Sequence, residues 1–373
     1  MNERISAFLA ERIAANDFPS AVYLVAEKGE VVFHDALGNA VVEPEVIPAR
    51  LDTIYDLASL TKPLVTGLLA ASKIEHNEIG LDTMLGATSP LFEGSSVSGL
   101  TVLQIATHTS GLPAWIPLYR EARSNKQMDI AATIGEQTLN ASPQVEYSDL
   151  NFISLAFLIG DDRLDAIFEH SVADQLALGR TCFEPLSRGI ARSEIAASEM
   201  GNGYERQTCI DRGYATEPPK GGTPNAFRDQ LIWGEVHDGN AYFMGGVAGH
   251  AGLFSTAEEV FKIALQFLPD HTKLLKPETC ELFRTNFTPK MNEDRSFAFQ
   301  LASTKDSTAG TAMSPQSFGH NGFTGTSLWI DPVADRIFVL LTNRTHAHPL
   351  PFVNINSVRR RFHDLAIEEL EKK

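Results

Sequence analysis

Ser59-Leu60-Thr61-Lys62 places an amine three residues after a hydroxyl nucleophile. A serine hydroxyl is a weak nucleophile at neutral pH and needs a neighbour that removes its proton as it attacks. Residues three apart on a helix share a face, so the spacing predicts that Lys62 reaches Ser59 Oγ. Pro63 fits a helix only in its opening turn, which puts Ser59 at or just before the N-terminus. Free backbone N–H groups and the positive end of the dipole gather there, where an oxyanion would form. The apolar run 64–71 is expected to bury the rest of the helix. Alone, Ser-x-x-Lys is a weak signal, because a serine can simply cap a helix and a lysine lie in solvent.

Two later motifs give the pair a context. Tyr147-Ser148-Asp149-Leu150-Asn151 lies downstream, and Gly319-His320-Asn321-Gly322-Phe323-Thr324-Gly325 lies near the C-terminus. The order Ser-x-x-Lys, tyrosine with a polar partner, then a late His-x-Gly resembles the serine β-lactamase and penicillin-binding-protein superfamily. Within it, the chain is most similar to the class C β-lactamase-related branch of esterases, D-amino-acid peptidases and carboxypeptidase-like enzymes. The usual second motif there is Tyr-x-Asn. This chain offers Asp149 at that place and Asn151 at a longer spacing, and both stay open as the partner of Tyr147. The late motif of true β-lactamases is Lys-Thr-Gly; His320-Asn321-Gly322 stands here instead, which argues against strong β-lactamase activity.

Segments 103–113 and 245–256 match stretches typical of the same branch. Val236-His237-Asp238-Gly239-Asn240-Ala241, taken with Leu341-Thr342-Asn343-Arg344, is similar to members associated with cell-wall peptides, including weak carboxypeptidases and muropeptide amidases.

The resemblance implies that Ser59 attacks a carbonyl and forms an acyl-enzyme, with Lys62 and Tyr147 sharing the proton handling; which of the two is the base stays open. It further implies an oxyanion hole built from the N–H of Ser59 and that of Phe323, on the strand after the late motif. His320 and Gly322 would line the cleft, His320 holding a substrate carboxylate or amide. His237, Asp238 and Asn240 fall where a pocket loop is expected, divided between substrate contact and scaffolding. His108 and His250 read as structural. No cofactor is expected, because Gly245-Gly246 and Gly249 do not follow the strand–helix pattern of a dinucleotide site. No metal is expected either: His346-Ala347-His348 has no carboxylate or Cys at ligand spacing and reads as a solvated loop.

At 373 residues the chain can bury a large core in one or two domains. Its net charge of −16 opposes nucleic-acid or anionic-membrane binding and leaves a small molecule or peptide as the expected partner. The three cysteines, Cys182, Cys209 and Cys280, support neither a disulfide framework nor a zinc site and read as reduced thiols. Residues 1–15 read as an amphipathic helix rather than a secretory signal, and no apolar stretch approaches the length needed to span a bilayer, so a cytoplasmic location without membrane insertion is expected. Oligomeric state is not legible.

The element pattern predicts an α+β fold. Two β-rich runs, 21–26 and 31–36, flank the turn Glu27-Lys28-Gly29-Glu30 as a hairpin. Strands return at 327–331 and 336–342, and a closing helix is expected over 353–371. Residues 81–204 read as mostly helical, and 201–239 as an irregular connection or pocket wall. The two ends should therefore build one antiparallel sheet flanked by terminal helices (1–80 and 240–373), with a mainly helical domain (81–239) inserted. This agrees with the β-lactamase/transpeptidase-like fold, in which the active site lies between the two parts. The expected function is a serine hydrolase cleaving an amide or ester, with cell-wall-derived peptides or muropeptides favoured. The alternatives are a promiscuous carboxylesterase of the same fold and a catalytically silent penicillin-binding-like sensor or scaffold.

Overall fold

The computed structural model describes residues 1–141, 144–160, 163–214 and 227–373. The hairpin forms as expected from β1 (Ser20–Glu27) and β2 (Glu30–Val41), whose register runs from Ser20 opposite Gly38 to Glu27 opposite Glu30. Along β1 the side chains alternate between faces, the strand period of two. Tyr23 and Val25 pack with Ile5 and Leu9 of the first helix (Glu3–Ala14) and with Val358 and Phe362 of the closing helix (Asn356–Leu370). Val22 and Leu24 face the larger core cluster on the other side.

Five further strands contribute to the main sheet or its edges: β3 (Ile47–Pro48), β7 (Gln300–Leu301), β8 (Phe318–Asn321), β9 (Ser327–Asp331) and β10 (Arg336–Thr342). The sheet has seven strands in the order β3-β2-β1-β10-β9-β8-β7. Its centre is the antiparallel pairing of β1 with β10, from Ala21 opposite Thr342 to Glu27 opposite Arg336, so the two ends of the chain are joined. A smaller sheet of three strands runs β4 (Tyr55–Asp56), β6 (Leu253–Ser255), β5 (Cys182–Phe183). It ties the approach to Ser59 to the middle of the chain.

The segment read as irregular contains a helix, Gly203–Asp211, that forms part of the site; residues 215–226 of that segment lie outside the described residues. The closing helix starts at Asn356 rather than 353. Cys182, Cys209 and Cys280 are free thiols. Among the described residues no helix is long and apolar enough to cross a membrane.

Candidate active site

The nucleophile motif does not sit on one plain α-helix. Residues Ala58–Leu60 form a 3-10 turn, Lys62–Gly67 a π-helical turn, and Leu68–Glu75 the α-helix. Pro63, in the first turn of the wide segment, has no N–H to donate, and its ring disfavours a regular i→i−4 ladder. Ala58 lies at φ 49°, a left-handed backbone that a side-chain-bearing residue adopts only under constraint. The constraint is Asp56: its Oδ1 accepts from Ala58 N (2.8 Å) and its Oδ2 from His237 N (2.7 Å). One buried carboxyl thus ties the Ser59 elbow to the His237 loop.

The late motif is tied to the same elbow. Thr324 Oγ1 donates to Asp56 O (2.8 Å) and Thr326 Oγ1 to Leu57 O (2.9 Å). Arg359 Nη2, from the closing helix, donates to Gly322 O (2.8 Å) and Thr326 O (2.9 Å). Phe323 therefore stands on the tight turn between β8 and β9, not on a strand. Among the described residues, neither Ser59 N–H nor Phe323 N–H donates to a protein acceptor.

Lys62 Nζ lies 2.9 Å from Ser59 Oγ, 2.7 Å from Asp149 Oδ1 and 3.2 Å from His250 O. These three acceptors match the three N–H donors of an ammonium and leave no lone pair facing Ser59. Burial disfavours the charge, yet Asp149 and Tyr147 outweigh it and hold the Lys62 ammonium above its usual range. The Tyr147 phenol is also pushed up, chiefly by burial, while the Lys62 ammonium pulls the other way. The resting pair is accordingly Lys62 ammonium and Tyr147 phenol. The Tyr147 ring lies 4.9 Å from Lys62 Nζ and packs on His108, ring centres 4.5 Å apart.

Asp149, at the first turn of helix Asp149–Ala156, is thus the residue of the Tyr147 cluster that reaches Lys62. Asn151, two residues along, is fully buried and away from the cavity: Ser110 Oγ donates to its Oδ1 (2.6 Å) and its amide meets His108 Nδ1 (3.1 Å). Two residues along a helix turn a side chain to a different face, so Asn151 does not join Asp149 at Lys62. Asn240 is likewise structural, accepting from Leu118 N (2.8 Å) and donating to Ile116 O (2.9 Å). Asn151 is held by side chains and Asn240 by backbone groups, and neither faces a substrate.

Ser59, Tyr147, Asp149, His237, Asp238, His320, Gly322 and Phe323 all border one cavity of about 500 Å³. His320 is 5% exposed; burial first, then the charges of Lys62 and Arg295, hold it well below the usual histidine range. Its Nδ1 lies 2.9 Å from Asn321 O and so carries the proton, leaving Nε2 as a buried acceptor with no partner. A neutral acceptor does not hold a carboxylate; it suits a substrate N–H. His237 is held by Glu199 (2.8 Å) and stacks on Phe323, ring centres 5.4 Å apart. Asp238 caps helix Gly239–Phe243 through Ala241 N and meets His250 Nε2 at 2.9 Å.

The ligand atoms of Asp149, Asp238 and His250 lie within 4.8 Å of one another, a donor set that could hold a cation. Its inner acceptors already have partners, Lys62 on Asp149 and His250 on Asp238. His346, expected in a solvated loop, is buried instead, accepting from Val42 N through Nε2 (2.8 Å) and facing Ser198 O through Nδ1 (2.9 Å).

Three further charged residues line the cavity; Arg344 closes the stretch Leu341-Thr342-Asn343-Arg344, whereas Arg359 and Glu205 have no sequence signal. Arg359 and Arg344 line it without an acidic partner among the described residues. Burial, then the neighbouring charge of Arg344, push Arg359 down to about 9, opposite to what a carboxylate beside it would do. Glu205, on helix Gly203–Asp211, is the third.

The fold and this arrangement are those of a β-lactamase-type serine hydrolase. The Beta-lactamase family model matches residues 5–359, and the chain belongs to that family. A putative D-alanyl-D-alanine carboxypeptidase of Escherichia coli K12 is 30% identical over 361 residues, 88% of this chain and 79% of that protein. EstCE1, a hydrolase with promiscuous acyltransferase activity, superposes at TM-score 0.70 with 20% identity, covering 97% of both chains. A class C β-lactamase superposes at TM-score 0.70 with 15% identity, covering 100% of this chain and 97% of that one.

Proposed function

We propose that Ser59 is the nucleophile of this hydrolase and cleaves an amide or ester through an acyl-serine intermediate. The observation that carries the reading is Lys62 Nζ at 2.9 Å from Ser59 Oγ, clamped by Asp149. Because all three Lys62 donors are engaged, Tyr147 is the group proposed to take the Ser59 proton, acting as the phenolate formed when its own proton leaves to solvent and stabilised by the ammonium beside it. Ser59 Oγ then bonds to the carbonyl carbon, and the carbonyl oxygen becomes an oxyanion between the N–H groups of Ser59 and Phe323. Tyr147 returns the proton to the leaving group. Water attacks the ester, giving up its proton along the same path, and Ser59 is released.

Cell-wall-derived peptides or muropeptides are the favoured substrates, and recycling of such fragments in the cytoplasm is the proposed setting. Two features support a peptide: Arg359 and Arg344 wait without an acidic partner for a substrate carboxylate, and His320 Nε2 offers an acceptor to an amide N–H. The name of the E. coli relative points the same way. An esterase reading is favoured by one observation, that a neutral His320 stands where β-lactamases carry a cation. The intact Ser59–Lys62 contact argues against a silent sensor. The test is kcat/KM on D-alanyl-D-alanine peptides, muropeptides and p-nitrophenyl esters. Peptide turnover that exceeds the ester turnover supports the favoured substrates; ester turnover alone selects the esterase.

A further inference from the structure

Helix Gly203–Asp211 presents to the cavity a carboxyl group with one of its two oxygens unpartnered. Glu205 is 6% exposed and lines the cavity. Its Oε1 accepts from Gly239 N at 2.7 Å, whereas Oε2 is buried with no partner. The carboxyl lies so close to Gly239 that a Cβ there would come within 2.0 Å of Oε2, so the loop is shaped around it. Asp238, the next residue of that wall, is committed to Ala241 N and His250 Nε2. Arg228, the buried cation on this side, donates to Asn202 Oδ1 and to the carbonyls of Val236 and His237 instead. Among the described residues no cationic side chain forms an ion pair with Glu205.

We propose that Glu205, backed by Asp238, is a binding site for a protonated amine on the acyl portion of the substrate. A buried acceptor oxygen without a donor is costly to maintain unless a ligand supplies one. An ammonium supplies three donors and a positive charge, and it offsets the repulsion between two neighbouring carboxyls. Burial, then the charge of Asp238, raise Glu205 to about 7, and the positive charge of a bound cation opposes both. The amine belongs to the acyl portion because the helix that carries Glu205 also packs Tyr204 on Phe323, ring centres 4.6 Å apart. Phe323 is the residue whose N–H is assigned to the scissile carbonyl oxygen. Arg359 and Arg344 line the same cavity, so it suits a substrate that carries both an amine and a carboxylate. The inference rests on Ser59 being the nucleophile of this cavity.

The experiment uses linear aminoacyl ethyl esters with the amine moved from the α to the ε position, each beside its N-acetyl counterpart. Turnover is counted only where Ser59→Ala abolishes it. At least one free amine is expected to exceed its N-acetyl partner in kcat/KM by about 10- to 100-fold, the range of one charge-assisted hydrogen bond, and Glu205→Gln is expected to collapse that ratio. A merely structural Glu205 would lower both members of a pair and leave the ratio standing. Glu205→Asp, which keeps the charge but withdraws it by one methylene, is expected to move the preferred amine to a longer chain. No free-amine preference anywhere in the series, a ratio that survives Glu205→Gln, or an unmoved preference in Glu205→Asp overturns the subsite. Absence of all Ser59-dependent turnover overturns the hydrolase assignment of Ser59 instead, and the subsite falls with it.

Discussion

The two walls of the cavity differ in how their polar groups are satisfied. On the nucleophile wall, Lys62 has three acceptors, Asp149 has Lys62, and Asp56 bridges two backbone amides. Elsewhere in the lining, buried atoms of four residues lack partners: Glu205 Oε2, Arg295 Nε, His320 Nε2 and Arg359 Nε. Burying a polar group without a partner costs roughly 1–3 kcal/mol, so a wall with several is held in place by the fold rather than by its own contacts. The catalytic half is organised before substrate arrives. The recognition half is completed by the substrate, which makes it the part that sets specificity.

Substitutions on the two walls should therefore fail in different ways. The largest effect is expected from Lys62→Met on the satisfied wall, a fall of about 10³- to 10⁴-fold in kcat with little change in KM, measured on p-nitrophenyl butyrate. A rise in KM alone would move Lys62 to the recognition side.

Glu205 tests the unsatisfied wall through stability. Its carboxyl binds its proton more tightly folded than unfolded, so its contribution is full below the ordinary glutamate range and is lost as pH rises towards about 7. Wild-type protein is expected to lose up to about 3 kcal/mol relative to Glu205→Gln across that window. Urea denaturation at a series of pH values measures it, and parallel curves would contradict it.

Arg359→Met is expected to raise KM about 10- to 100-fold for a peptide ending in a free carboxylate and to leave the C-terminal amide of the same peptide far less affected. Equal losses on both would place Arg359 in the scaffold of the Gly322–Thr326 turn alone.

The smallest effect expected is a displacement. Asp149 holds both Lys62 and Tyr147 towards their protonated forms. The rate should therefore climb with pH through the neutral range, and Asp149→Asn should move that climb to lower pH by about one unit. A profile unmoved by the substitution would remove Asp149 from the proton path.

The same division explains what the sequence made legible. Ser59, Lys62 and Tyr147 stand out because their chemistry is encoded by local spacing on continuous segments. The hairpin and the return of strands at 327–342 were legible because β1, β9 and β10 are short apolar runs rich in β-branched and aromatic residues, buried on both faces. Glu205 was not legible. It is one acid in Gly-Tyr-Glu-Arg-Gln-Thr-Cys-Ile-Asp, a helix with few apolar positions, inside a segment whose Gly and Pro content suggested a loop. Only tertiary contact with Gly239 sets it apart. Asn151 and Asn240 fail for the opposite reason, since polar residues near a motif suggest a ligand until their internal partners are known. Asp149 over Asn151 was likewise decided by helix geometry that the spacing of types did not contain. The widened turn at Lys62–Gly67 was signalled only by Pro63, a residue equally at home in an ordinary first turn.

The most direct measurement is intact mass after incubation with a fluorophosphonate, followed by peptide mapping of the adduct. A single adduct on Ser59, absent in Ser59→Ala and strongly slowed in Lys62→Met, is the expected result. An unmodified protein, or an adduct that persists in Ser59→Ala, would contradict the assignment of Ser59 as the nucleophile.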